Sequence, residues 1–250
     1  MKYFFIFFSI ATICQACVKN EREQIDIIGD KSFFPLQVGR FLEYEVDSIY
    51  YRQGTFLDSV HTQVREEILT QSKDSLGEVY IILRSNKKRP DQPWIPSSSY
   101  SARIIDQKAI RNEGNLHFIK LIFPFVLNQT WEGLALIQTD IKFDVQGETI
   151  EPYQNWEPFK IKDSSHAEKI GTFSFNEVVT VLQTDEEDIL SKRFSVEKYA
   201  KNIGLVYKEL SILDCNTNIN GMPNSCNSLE PWRTRATKGF IMRQTLARHN

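Results

Sequence analysis

The sequence predicts a mainly β protein built on a curved antiparallel sheet, of half-barrel or sandwich type, and three observations lead to this fold class. Apolar and polar residues alternate along many segments of the chain. Residues that favour turns separate these segments at short intervals. Signals for helices are few, so we expect at most one or two short helices.

The alternation is clearest in FLEYEVDSIY, residues 41–50, where Leu42, Tyr44 and Val46 share one face and acidic residues occupy the other. This pattern is typical of a half-buried antiparallel strand. The turn-rich run 111–115 predicts a hairpin between its flanking segments. Further strands are predicted at residues 58–69, 78–84, 99–110, 116–123, 139–145, 171–183, 204–213 and 238–246.

One segment, residues 185–202, carries the best helix signal. Acidic residues lead it and Gly204 follows as a stop, although Phe194 and Val196 stand at strand spacing. We therefore predict a short helix or an irregular crossover there. The acidic run 185–188 could be read as a calcium site, but calcium loops need spaced oxygens and a glycine turn. We interpret it as a solvated helix start.

Two segments of the chain resemble each other. FFPLQVGRFLEY contains Pro35 and IFPFVLNQTWEG contains Pro124, each after an aromatic residue. A large apolar residue, Leu42 or Trp131, stands seven positions after each proline. The repetition predicts two structurally similar halves.

The first residues have the layout of an export signal. Lys2 precedes an apolar run of about 11 residues, much shorter than the roughly 20 that span a bilayer as a helix. Ala16 stands directly before Cys17, and this junction resembles a relaxed form of the lipobox of bacterial lipoproteins. The resemblance implies removal of residues 1–16 and attachment of diacylglycerol and a further acyl chain at Cys17.

The rest of the chain is expected to be a tether followed by one domain. Residues 17–32 are polar and charged without a clear period, which indicates a tether. Residues 33–250 are predicted to form a single β domain. We expect the protein to be held by its lipid at the outer membrane, on the periplasmic or the cell-surface face.

The net charge and the cysteine count restrict the kinds of partner and cross-link that we expect. The formal net charge is −2 and the basic residues are scattered, so we expect no nucleic-acid partner. Cys215 and Cys226 flank a run of turn formers, and in an exported chain such a pair is most simply a disulfide. A metal pair is the alternative, but His249 is the nearest histidine, and the CxxC spacing occurs only between Cys14 and Cys17, at the end of the leader.

Catalytic and metal motifs do not emerge from the sequence. The four histidines are far apart and none has a partner at metal-ligand spacing. The GxSxG pattern of a nucleophile elbow does not occur. We therefore expect no catalytic residue, no bound metal and no cofactor.

Aromatic residues near prolines are the candidate contacts for a ligand or partner. They can equally close the ends of the sheet over its core, and that is the interpretation we favour. The residues in question are Trp94, Tyr100, Tyr153, Trp156 and Trp232.

Three stretches, FPLQVG at 34–39, EKYAKNIGLVYKE at 197–209 and KGFIMRQTL at 238–246, give the chain a layout similar to that of uncharacterised lipoproteins of Bacteroidota. The resemblance brings no activity with it. By analogy of fold it implies a curved sheet or half-barrel like the lipoprotein carriers and receptors of the Lol system.

The sequence thus predicts a noncatalytic, lipid-anchored envelope protein that binds an apolar, lipid-like ligand or an envelope protein. Two alternatives are a structural accessory subunit of an outer-membrane complex and an enzyme acting on envelope glycans or lipids. A carrier should contain an apolar concavity of several hundred Å³. An accessory subunit should expose an apolar patch larger than a few hundred Å², and an enzyme should bring titratable groups together in a cleft.

Overall fold

The structure is a computed structural model that describes residues 31–52, 55–56, 59–219 and 221–250. The predicted leader, the lipidation site at Cys17 and most of the tether lie outside the described residues. Lys31 and Ser32, which we assigned to the tether, belong to a short 3-10 helix, Lys31–Phe33. No helix in the described part of the chain is long and apolar enough to cross a membrane.

The fold is mainly β, as predicted, and all paired strands are antiparallel. The first part of the chain forms β1 (Phe41–Arg52), β2 (Thr55–Phe56), β3 (Val60–Asp74), β4 (Gly77–Lys87), β5 (Ile95–Ile105), β6 (Lys108–Glu113) and β7 (Leu116–Ile122). The second part forms β8 (Thr130–Trp131), β9 (Phe143–Val145), β10 (Glu148–Ile150), β11 (Phe159–Ile170), β12 (Phe173–Glu187), β13 (Ser191–Ala200), β14 (Gly204–Asp214), β15 (Asn218–Ile219), β16 (Met222–Pro223), α1 (Trp232–Arg235) and β17 (Lys238–His249).

The main sheet consists of two meanders with the same connectivity. Its order is β7-β6-β5-β4-β3-β1-β17-β14-β13-β12-β11-β8, with β2 paired to β1. One meander runs from β1 through β3 to β7, and the other runs from β8 through β11 to β14 and then to β17. Their junction is the pairing of β1 with β17, in which Tyr44 lies opposite Leu246. This arrangement agrees with the two halves predicted from the repeated segment.

The two edges of this sheet nearly meet. The backbone N–H of Ile119 in β7 donates to the carbonyl of Gly133, just after β8, at 3.0 Å. The indole Nε1 of Trp131 donates to the carbonyl of Ile119 at 2.8 Å. His117 and Leu136 form an isolated bridge beside them. The sheet is therefore a nearly closed, curved layer that surrounds an interior.

The interior has two distinct ends. At one end, which we call the tether end, the backbone N–H of Asn202 in the β13–β14 turn donates to Ser32 at 2.8 Å. At the other, the disulfide end, the N–H of Cys215 donates to the carbonyl of Leu190 in the β12–β13 turn at 2.8 Å. The described chain therefore enters the domain at the tether end.

The two aromatic-proline segments meet in one core. The rings of Phe33 and Phe125 are 5.3 Å apart in an edge contact, and those of Phe123 and Phe125 are 5.1 Å apart. All three belong to the largest cluster of buried apolar residues. Each segment leads into the first strand of its meander, so the repeated sequence starts the same structure twice.

The predicted helix at residues 185–202 is wrong. The chain there ends β12, turns, and forms β13, whose Phe194 and Val196 lie opposite Ser211 and Glu209 of β14. The carboxylate of Asp188 accepts the backbone N–H groups of the turn, from Leu190 at 2.7 Å and from Ser191 at 2.6 Å. Strand spacing in this segment outweighed its helix-like charge pattern, and the acidic run closes a hairpin.

Other strand predictions also differ from the structure. The strand expected at 139–145 is reduced to the three residues of β9. The single strand expected at 99–110 divides between β5 and β6 at Asp106 and Gln107, which have φ values of 46° and 62°. A turn with two positive φ values is usually signalled by glycine, which is absent from this pair. The strand β11 was not predicted because its sequence, FKIKDSSHAEKI, breaks the alternation, and its pairing with β12 is interrupted by three register shifts.

Candidate functional site

Charged side chains fill the middle of the interior, and the sequence analysis did not identify them. They come from both meanders and face each other across the enclosed space. We call the following set the interior charge cluster: Glu66, Arg84, Arg111, Glu113, Lys120, Glu197 and Lys208.

Strand alternation places these charges inside. Glu66 stands between the buried Val64 and Ile68 on one face of β3 and is only 6 % exposed. Lys120, 3 % exposed, lies within the apolar run LHFIKLI of β7. A charged residue at an inward-facing position of an alternating strand was the signal that could have revealed the cluster.

Glu66 holds the first half of the cluster together. One of its oxygens, Oε1, accepts from Arg84 Nη1 and from Arg111 Nη2, both at 2.7 Å. Arg111 also reaches Glu113, with 2.8 Å between Nε and Oε1, and its guanidinium lies 4.9 Å from the ring centroid of Tyr100. Arg84 of β4 is thus held by a carboxylate of the neighbouring strand β3, and Arg111 of β6 by the same carboxylate and by Glu113 of its own strand.

Glu197 holds the second half together. Its Oε1 accepts from Lys120 Nζ at 2.9 Å and lies 3.4 Å from Lys208 Nζ. Its Oε2 accepts from the hydroxyl of Tyr199 at 2.6 Å. Lys120 comes from β7 and Glu197 from β13, so this contact crosses the interior.

The cluster keeps its members charged. Burial would raise the pKa of the Glu197 carboxyl, but Lys120 and Lys208 outweigh it and lower the pKa to about 2. Burial would likewise raise the pKa of Glu66, yet Arg111 and Arg84 lower it. For Lys208, burial favours a lower pKa, and Glu113 with Glu197 raises it instead. These groups form a fixed set of ion pairs near neutral pH.

A cavity of about 70 Å³, which we call the interior pocket, lies between the charge cluster and the tether end. Its floor includes Arg111, Lys120 and Glu197. Its wall toward the tether end, which we call the mouth, is mostly apolar and includes Phe34, Pro35, Leu36, Phe41, Leu42, Ile203 and Leu205. The pocket therefore combines an apolar entrance with a charged base.

Arg40 stands at this mouth as a further cation. Its Nη2 donates to the carbonyls of Asn202 at 2.8 Å and Ile203 at 3.3 Å. Burial lowers the pKa of its guanidinium. Among the described residues its hydrogen-bond acceptors are backbone carbonyls, so its charge is not balanced in the way that those of Arg84 and Arg111 are.

Three of the five candidate aromatic residues pack against the largest core cluster, as the core interpretation predicts. Tyr100, Tyr153 and Trp156 all contact this cluster. The rings of Tyr153 and Trp156 are 5.3 Å apart, and Trp156 Nε1 donates to the carbonyl of Pro152 at 2.6 Å. These residues are not among those that line the interior pocket.

The other two aromatic candidates lie elsewhere. Trp94 is partly buried, with Lys87 Nζ 4.5 Å from its ring centroid. Trp232 is buried in α1 beside the disulfide, and the guanidinium of Arg235 lies 3.9 Å from its ring centroid. The structure does not bring the five candidates together into one surface.

Cys215 and Cys226 form the predicted disulfide, with their Cα atoms 5.7 Å apart. The bridge packs in a separate small core with Tyr51, Leu213 and Trp232. It fixes the long connection between β14 and β17 at the disulfide end. The metal alternative for this pair is therefore wrong.

Histidines and acidic residues in the described part of the chain form no group of three or more that could hold a metal ion. His61 lies on the exposed face of β3, with Nδ1 2.8 Å from Asp47 and Nε2 2.9 Å from Glu45. The hydrogen bond with Asp47 raises the pKa of His61. This arrangement is a surface ion pair.

Two wider depressions are open and lined largely by polar residues. One, of about 490 Å³, lies on the outer face of β11–β14 and includes Lys162, Glu168 and Lys198. The other, of about 570 Å³, lies at the disulfide end and includes Arg193 and Asp214. Neither of these depressions, nor the interior pocket of about 70 Å³, is the apolar concavity of several hundred Å³ that we expected of a lipid carrier.

These features define a class of protein: a mainly β domain whose nearly closed antiparallel sheet surrounds ion pairs and a small pocket. No family model and no curated protein matches the chain.

Among solved structures, similar chains include one from Bacteroides fragilis described as an exported protein with a YmcC-like fold, at 13 % identity and a TM-score of 0.41. Another, from Parabacteroides distasonis, is described as a lipoprotein, at 12 % identity and a TM-score of 0.35. Each alignment covers 87 % of this chain and 98 % of the other. Superposition at this level assigns no function, ligand or partner to this chain.

Proposed function

We propose that this chain is an exported, lipid-anchored protein of the outer membrane that binds a ligand in the interior pocket without catalysing a reaction. The position of the pocket carries the proposal. Its mouth lies at the tether end, where Phe34, Pro35 and Leu36 form part of its wall. Beyond them the chain runs back toward Cys17.

The anchor would hold this mouth close to a membrane. A single acyl chain binds a bilayer only marginally, whereas two or more chains hold a protein firmly. Residues 18–30 separate Cys17 from the described domain, and fully extended they span at most ~45 Å. A ligand released from the membrane would therefore meet the pocket within a short distance.

The electrostatics of the pocket favour binding over acid–base catalysis. A general acid or base works best with a pKa near the operating pH. In the pocket, Glu66 and Glu197 have lowered pKa values, and the pKa of Arg111 is raised because Glu66 and Glu113 outweigh the effect of burial. Each shift favours the charged form, which suits recognition of a ligand by fixed charges.

Mass spectrometry of protein extracted from its own envelope tests both parts of the proposal. Under denaturing conditions we expect the unsubstituted chain to carry the mass of the lipid, and a Cys17→Ser variant to lack it. Under native conditions we expect an additional non-covalent ligand mass. A native chain without lipid overturns the anchor.

A matched pair of variants tests the pocket. Leu36→Trp fills the mouth and should remove the non-covalent mass, because Leu36 lines the pocket. Val38→Trp lies in the same segment but is 46 % exposed and should retain the mass. Equal retention by both variants, or absence of any bound mass in the unmodified chain, overturns ligand binding in the interior pocket.

A further inference from the structure

We propose that the ligand of the interior pocket is a small amphiphile whose carboxylate group enters first and whose apolar part occupies the mouth. This inference rests on the proposed function and gives the chemistry of the ligand. Three properties of the site support it: an excess of cations, a small polar base and an apolar entrance.

The residues that line the pocket include three cations and three carboxylates, but cations are in excess when Arg40 is counted with the whole interior charge cluster. The interior charge cluster supplies four cations and three carboxylates, and Arg40 at the mouth adds a fifth cation. The carboxylates are shared: Glu66 Oε1 accepts from two arginines, and Glu197 Oε1 lies within 3.4 Å of two lysines. An additional carboxylate would complement the remaining positive charge.

The size of the cavity limits the part of the ligand that can be buried. A water-sized group needs about 10–15 Å³ when volume is measured in this way, so 70 Å³ holds roughly five such groups. A carboxylate with two or three carbon atoms fits this space. A complete lipid headgroup with its glycerol does not, which disfavours a phospholipid.

The mouth is suited to the remainder of an aliphatic chain. Leu36, Phe41, Leu42 and Leu205 are all partly buried there, so they offer apolar surface that remains accessible from outside. Covering such surface contributes about 25 cal/mol per Å². Arg40 stands beside them, and its guanidinium has donors besides the Nη2 that serves the two carbonyls. Arg40 lines the same small cavity as Arg111 and Lys120, so it can contact the bound carboxylate as well as the entering one.

Calorimetric titration of the Cys17→Ser chain with three simple probes tests this assignment. Octanoate carries both parts of the proposed ligand, octanol lacks the charge and acetate lacks the chain. We expect octanoate to bind at least tenfold more tightly than either of the others. If octanol or acetate binds as tightly as octanoate, the ligand is not an amphiphilic carboxylate and the assignment is overturned.

Variants separate recognition of charge from folding. Arg40→Gln should weaken octanoate binding at least fivefold. It should lower the melting temperature by no more than a few degrees, because the folded state loses only the hydrogen bonds to the carbonyls of Asn202 and Ile203. Arg243→Gln is the matched control, because Arg243 is 61 % exposed and pairs with Glu209. It should leave octanoate affinity unchanged. Equal octanoate affinity in the two variants overturns the role of Arg40 in binding the carboxylate.

The two proposals can fail independently. If no probe binds while the chain from its own envelope carries a ligand mass that Leu36→Trp removes, the carboxylate amphiphile is wrong and the proposed function stands. If Leu36→Trp abolishes octanoate binding and Val38→Trp does not, the ligand assignment and its location are both supported.

Discussion

Glu197 illustrates how a single buried residue can depend on its partners. It is 1 % exposed and receives contacts from Lys120, Lys208 and Tyr199. Moving a carboxylate out of water is costly, and the cost is recovered only through such contacts. Removing one partner leaves the others buried and uncompensated.

We predict that Glu197→Gln lowers the free energy of unfolding by about 3–5 kcal/mol, because Lys120 and Lys208 lose a buried counter-charge. Urea denaturation at pH 7 measures the change. Glu209→Gln is the control, since its ionic partner Arg243 is exposed and such a pair contributes about 1 kcal/mol or less, while the amide oxygen of glutamine can still accept from the Tyr207 hydroxyl. Similar losses in the two variants would contradict the importance of the buried contacts.

At the scale of elements, close approach between strands sets limits that hydrophobic patterns do not reveal. Gly239 lies near the start of β17 between β1 and β14, with φ of +110°. A Cβ atom there would overlap the backbone carbonyl of Ile212 in β14. Gly77, at the start of β4, has a similar φ of +114° but open space where a Cβ would be.

This pair separates backbone strain from steric overlap. We predict that Gly77→Ala costs about 1–2 kcal/mol, the strain of an unusual φ alone. Gly239→Ala should cost more than about 4 kcal/mol. The backbone carbonyl of Ile212, which strand pairing holds in the sheet, would have to move away from the new Cβ atom. Thermal and urea unfolding of both variants provide the comparison. A difference of less than about 1 kcal/mol between them would show that β14 and β17 separate easily.

At the scale of the whole molecule, the ion pairs link the two meanders across the interior. Lys120 and Glu197, which belong to different meanders, are 77 residues apart in the chain. Within the first meander, Arg111 of β6 and Glu66 of β3 are 45 residues apart. These contacts form only when the sheet curves until its edges nearly meet. Protonation of the interior carboxylates should therefore weaken the entire fold.

We predict that stability falls as the pH decreases from about 4.5 toward 2. The pKa of Glu197 is about 2 in the folded chain, against an ordinary value of 4.5. Its contribution to the free energy of unfolding is therefore fully present above pH 4.5 and is lost progressively as the pH falls toward 2. Glu66 has a pKa lowered in the same direction. Urea midpoints at pH 7, 5, 4 and 3 test this expectation. A midpoint that stays constant from pH 5 to pH 3 would contradict it.

Local patterns were sufficient for much of the fold. Alternation identified β1, and the predicted inward face of Leu42, Tyr44 and Val46 is buried or partly buried. The same rule could have identified Glu66, between Val64 and Ile68, as an inward charge. It could not have assigned the partners of Glu66, because pairing between distant strands depends on their order in the sheet.

The sequence by itself determined the β class, the Cys215–Cys226 bridge and the repeated entry segments at Pro35 and Pro124, because strand periodicity, cysteine count and proline position act locally. Only the tertiary structure decided that residues 191–200 form a strand between β12 and β14. It alone brought Lys120 to Glu197 and placed the pocket at the tether end of the domain. Closure of the sheet sets those distances, and no short stretch of sequence encodes them.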